Sequence, residues 1–213
     1  MLALTRLLQL SDSVFPTGAY AFSDGLETYT QSKRVHDAAG LSEILKTQLM
    51  LGWGRCDAPA CALAWNGYDL ESINEILTAI KIIEGPRTSS LHVGLALERA
   101  ARSVWPELEL DLPTQAHHAV VFGVLARALE ISKRDAITGF VSGWLLGKAT
   151  SATRLFKLGG LEAQRIVSNL EPVILETVEL ALTALPEDIQ SFTPALDIAA
   201  RAQFDLPVRL FQS

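Results

Sequence analysis

The sequence predicts an all-α fold: a single-domain bundle of about eight to ten helices spanning residues 1–213. Three observations predict it. Apolar residues recur every three to four positions through most of the chain, the period of one helical face. No stretch resembles a strand–helix–strand unit. A chain of 213 residues that is 49% hydrophobic and only 20% charged has the material to bury a core of its own.

The elements follow in order. Leu2 to Leu10 is a short apolar helical stretch. Residues 11–23, with Pro16, Gly18 and several Ser and Thr, form an ordered loop. Ser23 is placed to cap a helix whose first turns carry Leu26 and Glu27. Gly40 interrupts, and Ser42 caps a helix with Leu45, Leu49 and Met50 on one side. Asp57-Ala58-Pro59 restarts a helix through Trp65, and Asn66 to Asp69 is a turn. Leu70 to Ile83 is amphipathic through Ile73, Ile76, Leu77 and Ile80, until Gly85-Pro86 breaks it. Thr88 to Val104 is helical and ends at Trp105-Pro106. Glu107 to Leu112 alternates like a short strand, but its flanking prolines favour a surface loop. Three long patterns follow: Thr114 to Leu129, Lys133 to Phe156 with a Gly159-Gly160 stop, and Leu161 to Leu185 kinked at Pro172. Pro194 opens a last helix to about Gln203, and residues 204–213 form an extended tail.

Composition excludes several classes. Eighteen basic against twenty-four acidic residues leave a net charge of −6, a poor match to nucleic acid, which needs a clustered positive field. The acidic balance and the lack of a basic amphipathic face also speak against a membrane-peripheral protein. The uncharged run Ala136 to Gly147 ends at Lys148, short of the roughly 20 residues a span needs. The start lacks a basic stretch followed by an apolar run, so a cytoplasmic location is expected. Cys56 and Cys61 are too few for a disulfide framework and wrongly spaced for a redox pair; they read as reduced, buried thiols. A mean hydropathy of +0.24 is high and points to apolar surface covered by partners, including a second copy of the chain.

Catalytic patterns are missing. The run Gly143 to Thr150 imitates a phosphate loop but has three residues between its glycines and Ala149 where a magnesium ligand belongs. Gly139, Gly143 and Gly147 instead share one helical face, where they admit a close neighbour, either within the bundle or at a subunit interface. Of His36, His92, His117 and His118, none pair at metal-ligand spacing. No metal site or cofactor is expected, and an interaction protein is favoured over an enzyme. The enzymatic alternative is a small hydrolase or transferase using Glu27 and a histidine.

One segment is distinctive. Residues 11–27, SDSVFPTGAYAFSDGLE, resemble the amino-terminal signature of the UreF family of urease accessory proteins, S-D-x-x-F-P-x-G-x-[YF]-x-[YFH]-S-x-G-L-E. The segments around His117 to Gly123, Arg154 to Gly159 with Gln164-Arg165, Pro194 to Ile198, and Arg209-Leu210-Phe211-Gln212-Ser213 are similar to further family segments in the same order. The chain departs from the pattern at Gly160 and across Ala202 to Pro207, which leaves the usual polar contacts of those positions open. The resemblance implies an all-α, non-enzymatic homodimer. It implies partners too: a UreD/UreH-type protein, the GTPase UreG and apo-urease, in delivery of nickel.

Physical roles can be attached to the matched residues. Pro16 and Gly18 shape the loop. Tyr20 and Phe22 alternate along an extended stretch and can share one side, pinning the loop or anchoring a partner. Glu27 complements its helix dipole or faces a partner. Arg154 and Lys157 are solvated helix-end charges or hold an acidic GTPase surface. The expected partner-binding set is Phe15, Pro16, Gly18, Tyr20, Phe22, Ser23, Gly25, Glu27, Arg154, Lys157, Gln164, Arg209, Leu210, Phe211 and Ser213. The tail is expected to gain its order by docking on a partner.

Overall fold

The computed structural model describes residues 1–212. Among them lie eleven α-helices: α1 (Leu2–Leu10), α2 (Leu26–Gln31), α3 (Ala38–Leu51), α4 (Trp53–Asn66), α5 (Leu70–Ile80), α6 (Glu84–Val104), α7 (His118–Ala128), α8 (Lys133–Ala152), α9 (Gly160–Asn169), α10 (Glu171–Leu182) and α11 (Pro194–Ala202). Short 3₁₀ turns sit at Ala19–Ala21, Pro186–Asp188 and Gln203–Asp205. The class is all-α, as predicted, with no strand among the described residues; Glu107 to Leu112 is irregular. The helix count exceeds eight to ten because a pattern read as one kinked helix divides into α9 and α10. Pro172 lies at the start of α10, where its missing N–H costs nothing.

Helix starts differ most from expectation. Asp37, not Ser42, caps α3 by accepting from the Gly40 amide at 2.8 Å, so Gly40 lies inside the first turn. Pro86 likewise falls in the first turn of α6, where the amides have no intrahelical acceptor. Helix α7 begins four residues later than predicted, after Gln115 at a φ of 56°. Pro59 sits in the interior of α4, where a proline should break the helix by orphaning the carbonyl four residues back. That carbonyl belongs to Arg55, and it accepts from the Gln190 amide at 3.1 Å. A remote segment thus restores the lost hydrogen bond and lets α4 run on.

Helix α4 is the centre of the molecule, packed by α3, α5, α7, α8 and α10. One apolar cluster gathers Leu63, Ile73, Leu77, Leu97 and Leu125 between α4, α5, α6 and α7. A second gathers Leu41, Leu45, Leu49, Ile137, Val141 and Leu145 between α3 and α8. Trp53 touches both and stacks on Trp144, with ring centroids 4.5 Å apart. Cys56 and Cys61 are free and buried, as predicted. Burial pushes the Cys56 thiol up to about 12 and Cys61 higher still, so neither is a nucleophile at neutral pH.

One charged pair lies inside this core. Lys81, just after α5, donates to Asp57 of α4 at 2.7 Å. Burial is the largest influence and works against the Lys81 charge, but Asp57 together with Cys56 and Asp24 holds the ammonium above its ordinary pKa. Burial also pulls Asp57 above the usual carboxylate range, although Lys81 opposes this.

Candidate functional site

The predicted residues at the two chain ends meet in one place. The turn ending at Gly25 has left-handed backbone with φ at 89°, and a Cβ there would lie 2.8 Å from the Ala200 amide nitrogen. Only glycine meets both conditions, so the start of α2 presses directly onto α11. Gly25, not Ser23, occupies the cap position. The Ser23 hydroxyl still accepts from the Glu27 amide at 3.4 Å, and Thr28 donates to the Ala199 carbonyl at 2.8 Å.

This contact buries Glu27 completely, with its carboxylate facing the tail. Oε1 accepts from the Leu210 amide at 2.7 Å and from Gln31 Nε2 at 3.3 Å. Oε2 accepts from the Phe211 amide at 3.3 Å and from Gln203 Nε2 at 3.2 Å. Four donors and no cation satisfy the carboxylate among the described residues. Charge-assisted bonds of this kind are the strong class. Gln203 is the keystone: fully buried, its Oε1 accepts from Ser23 Oγ at 2.9 Å and from the Gly25 amide at 3.2 Å. Gln31 also donates to the Val208 carbonyl at 2.8 Å, and the Gln212 amide donates to the Ala21 carbonyl at 2.8 Å. Phe211 is thereby buried, with the Arg154 guanidinium 4.6 Å above its ring and donating to the Leu210 carbonyl at 3.4 Å.

These contacts revise several expectations. The tail docks on its own chain rather than awaiting an external surface. The Glu27 carboxylate is enclosed and faces neither a partner nor a passing ion. Tyr20 and Phe22 do not share a side, because Ala19–Ala21 is a 3₁₀ turn: Tyr20 is 64% exposed and Phe22 is 5% exposed beside His92. Phe15 is buried against Trp105, pinning the loop to the end of α6, while Pro16 is exposed. Gly18 has left-handed backbone with φ at 69°. Lys157 and Gln164 are exposed and stand apart from the clasp contacts; Arg209 and Leu210 are exposed beside it. Ser213 lies outside the described residues. Gln203 and Gln31 were not foreseen. Gln203 carries no sequence signal, since it acquires its role from Ser23, 180 positions away, whereas Gln31 lies four residues after Glu27 on α2, a helical spacing that faces the two side chains to each other.

The chemistry of the histidines is also fixed by burial. His117 bonds Ser90 through Nδ1 at 3.0 Å and Thr78 through Nε2 at 3.1 Å. Burial and then Lys81 depress His117 to about 3 and His118 to about 4. Both rings are therefore neutral and weakly basic at pH 7, and each Glu27 oxygen is bonded elsewhere, which does not favour a Glu27–histidine catalytic pair.

The geometry can be set beside known proteins. The UreF family model matches residues 35–171. The chain is 32% identical to "Urease accessory protein UreF" of Chromohalobacter salexigens across the whole chain and 95% of that relative. It is 28% identical to the protein of that name from Geobacillus kaustophilus, over 99% of this chain and 98% of the relative. Against the Methylobacillus flagellatus protein of that name the figures are 30%, 99% and 98%. The family-model match omits both halves of the Glu27 clasp, whereas the whole-length relatives align across them. The chain belongs to the UreF family.

Proposed function

We propose that this member of the UreF family serves urease maturation as a non-catalytic, cytoplasmic scaffold. In this reading it forms a homodimer from single-domain protomers, joins a UreD/UreH-type accessory protein, and recruits and regulates the GTPase UreG, so that nickel reaches apo-urease. The observation that carries the reading is the clasp. A fully buried carboxylate with four donors holds the carboxy-terminal tail in one geometry. Arg209 and Leu210 remain exposed on it, and Tyr20 is exposed on the loop whose Ala21 carbonyl accepts from the Gln212 amide. A preformed ridge of this composition suits protein recognition, because its ordering entropy is already spent before a partner arrives.

Among the described residues, no group of three His, Cys, Asp or Glu is placed to hold a metal ion. No described helix is long and apolar enough to cross a membrane.

The test is co-purification from a urease-producing extract. The full chain is expected to retain the UreD-type protein. A chain lacking Arg209 to Ser213 is expected to keep its helical circular dichroism and lose that partner. Normal retention by the truncated chain overturns the assignment of the tail. Sedimentation at micromolar concentration tests the homodimer, with a purely monomeric boundary counting against it.

A further inference from the structure

Two carbonyls at the junction of α3 and α4 hold the segment that leads into α11. Leu51 ends α3, where a helix leaves its last carbonyls without intrahelical donors. Arg55 lies four residues before Pro59, whose ring has no N–H to offer and pushes that carbonyl outward. The Gln190 amide donates to the Arg55 carbonyl at 3.1 Å, and the Phe192 amide donates to the Leu51 carbonyl at 2.7 Å. Alternate amides of an extended segment point the same way, so residues 190–192 lie as a strap along one edge of the junction. Thr193 completes the contact: a Cβ on Gly52 would lie 2.9 Å from its Cγ2.

The strap runs without interruption into the clasp. Thr193 occupies the cap position of α11, and its carbonyl accepts from the Leu196 and Asp197 amides at 2.9 Å each. Helix α11 has nine residues and buries only Leu196, Ala199 and Ala200, while Ile198 is exposed. Two of those three are alanines, so little apolar area fixes the helix along its length. An element with few buried apolar contacts takes its position from its anchored ends. One end is the strap. The other bears on Thr28 and Gly25 and continues into Gln203, which bonds Ser23, the Gly25 amide and Glu27.

We infer that Pro59 is a positioning residue for the recognition ridge. By leaving the Arg55 carbonyl open to Gln190 it anchors the strap, sets the start of α11 and thereby holds the clasp closed on Glu27. The ridge's purpose rests on the proposed function; the coupling of strap to clasp is a property of the free chain. Such coupling is reciprocal, so loosening the clasp loosens the strap.

The test is amide hydrogen exchange on the full chain without partners. Pro59→Ala gives position 59 an N–H that competes for the Arg55 carbonyl and removes the ring that tilts it. The Gln190 amide is expected to exchange about tenfold faster and the Leu210 and Phe211 amides about threefold faster, with helical circular dichroism intact. Gln190→Pro removes the donor and leaves Pro59 in place; Ile189, extended with ψ at 113°, suits the position before a proline. The same acceleration is expected at Leu210 and Phe211. Glu27→Gln, which touches neither Pro59 nor the strap, is expected to accelerate exchange at Gln190, and it decides the matter if Gln190→Pro does not fold. Unchanged Leu210 and Phe211 exchange in Pro59→Ala overturns the inference. Acceleration in Pro59→Ala but not in folded Gln190→Pro marks lost packing at Pro59 and overturns it too, as does an unchanged Gln190 amide in Glu27→Gln. Failure of the chain to retain a UreD-type protein, with these exchange results intact, counts against the proposed function and leaves the coupling standing.

Discussion

The α4–α7 core and the Glu27 clasp are buried by opposite means. Between α4 and α7 the contact is backbone against backbone: a Cβ on Gly123 would lie 2.3 Å from the Cys61 carbonyl oxygen, and the flanking side chains are small and apolar. Such contact is non-directional and cumulative. In the clasp, one carboxylate organises two backbone amides and two glutamines, and Phe211 is the main apolar residue the tail contributes. That contact is directional and hinges on a single residue. The core carries the larger share of the buried apolar side chains, whereas the clasp sets how one surface is displayed.

The largest effect is expected from breaking the core at its one charged pair. Asp57→Ala leaves the Lys81 ammonium buried and unpaired and should cost about 3–5 kcal/mol in urea denaturation. Combining Asp57→Leu with Lys81→Met should recover most of that loss, because a well-packed apolar pair needs no compensating charge.

Acid attacks the same core through its histidines. His117 at about 3 and His118 at about 4 in the folded chain lie below the ordinary 6.5, so the unfolded chain binds more protons between those values. Stability should be flat between about pH 6.5 and 8 as far as these rings are concerned and fall as the pH drops toward 4. The slope should be on the order of 1 kcal/mol per pH unit for each ring, measured as the urea midpoint against pH. A His117→Gln variant with an unchanged slope would contradict this.

A smaller, local effect is expected at the clasp. Glu27→Gln presents an NH₂ to one of the tail amides and should cost about 1–3 kcal/mol. The readout that separates clasp from core is hydrogen exchange. The Leu210 and Phe211 amides should lose protection while those of α4 and α7 keep theirs. Equal loss in both regions would erase the distinction drawn here. Least of all, Arg154→Ala should cost about 0.5–1 kcal/mol by removing the cation above Phe211. Faster proteolytic cleavage after Arg209 should report it.

Much of the fold was legible along the chain. The amphipathic run from Leu70 places Ile73 and Leu77 inward, and both are buried. Asn66-Gly67 ends α4 as predicted, with Gly67 at a φ of 77° and the Tyr68 amide bonded to the Leu63 carbonyl at 3.1 Å. Helix starts were less legible, because prolines and glycines read as breaks where the structure accommodates them. Pro86 is harmless in a first turn, and Pro59 is tolerated only because Gln190 supplies the missing donor. The site was legible as a set of residues but not as an arrangement. Ser23, Gly25, Glu27, Leu210 and Phe211 all belong to it; Lys157 and Gln164 do not touch it, Gln203 completes it without any local sign, and Gln31 is marked only by its four-residue spacing from Glu27.

By itself, then, the sequence determined the helical class, the loop geometry that needs glycine at Gly18, and the lack of catalytic spacing. These follow from periodicity and backbone sterics, which act over a few residues. Only the tertiary structure decided that the tail folds back on Glu27, that Tyr20 and Phe22 part company, and that an internal proline survives. Each depends on a donor, an acceptor or a surface supplied by residues distant in the chain, and such pairings carry no local periodicity to read.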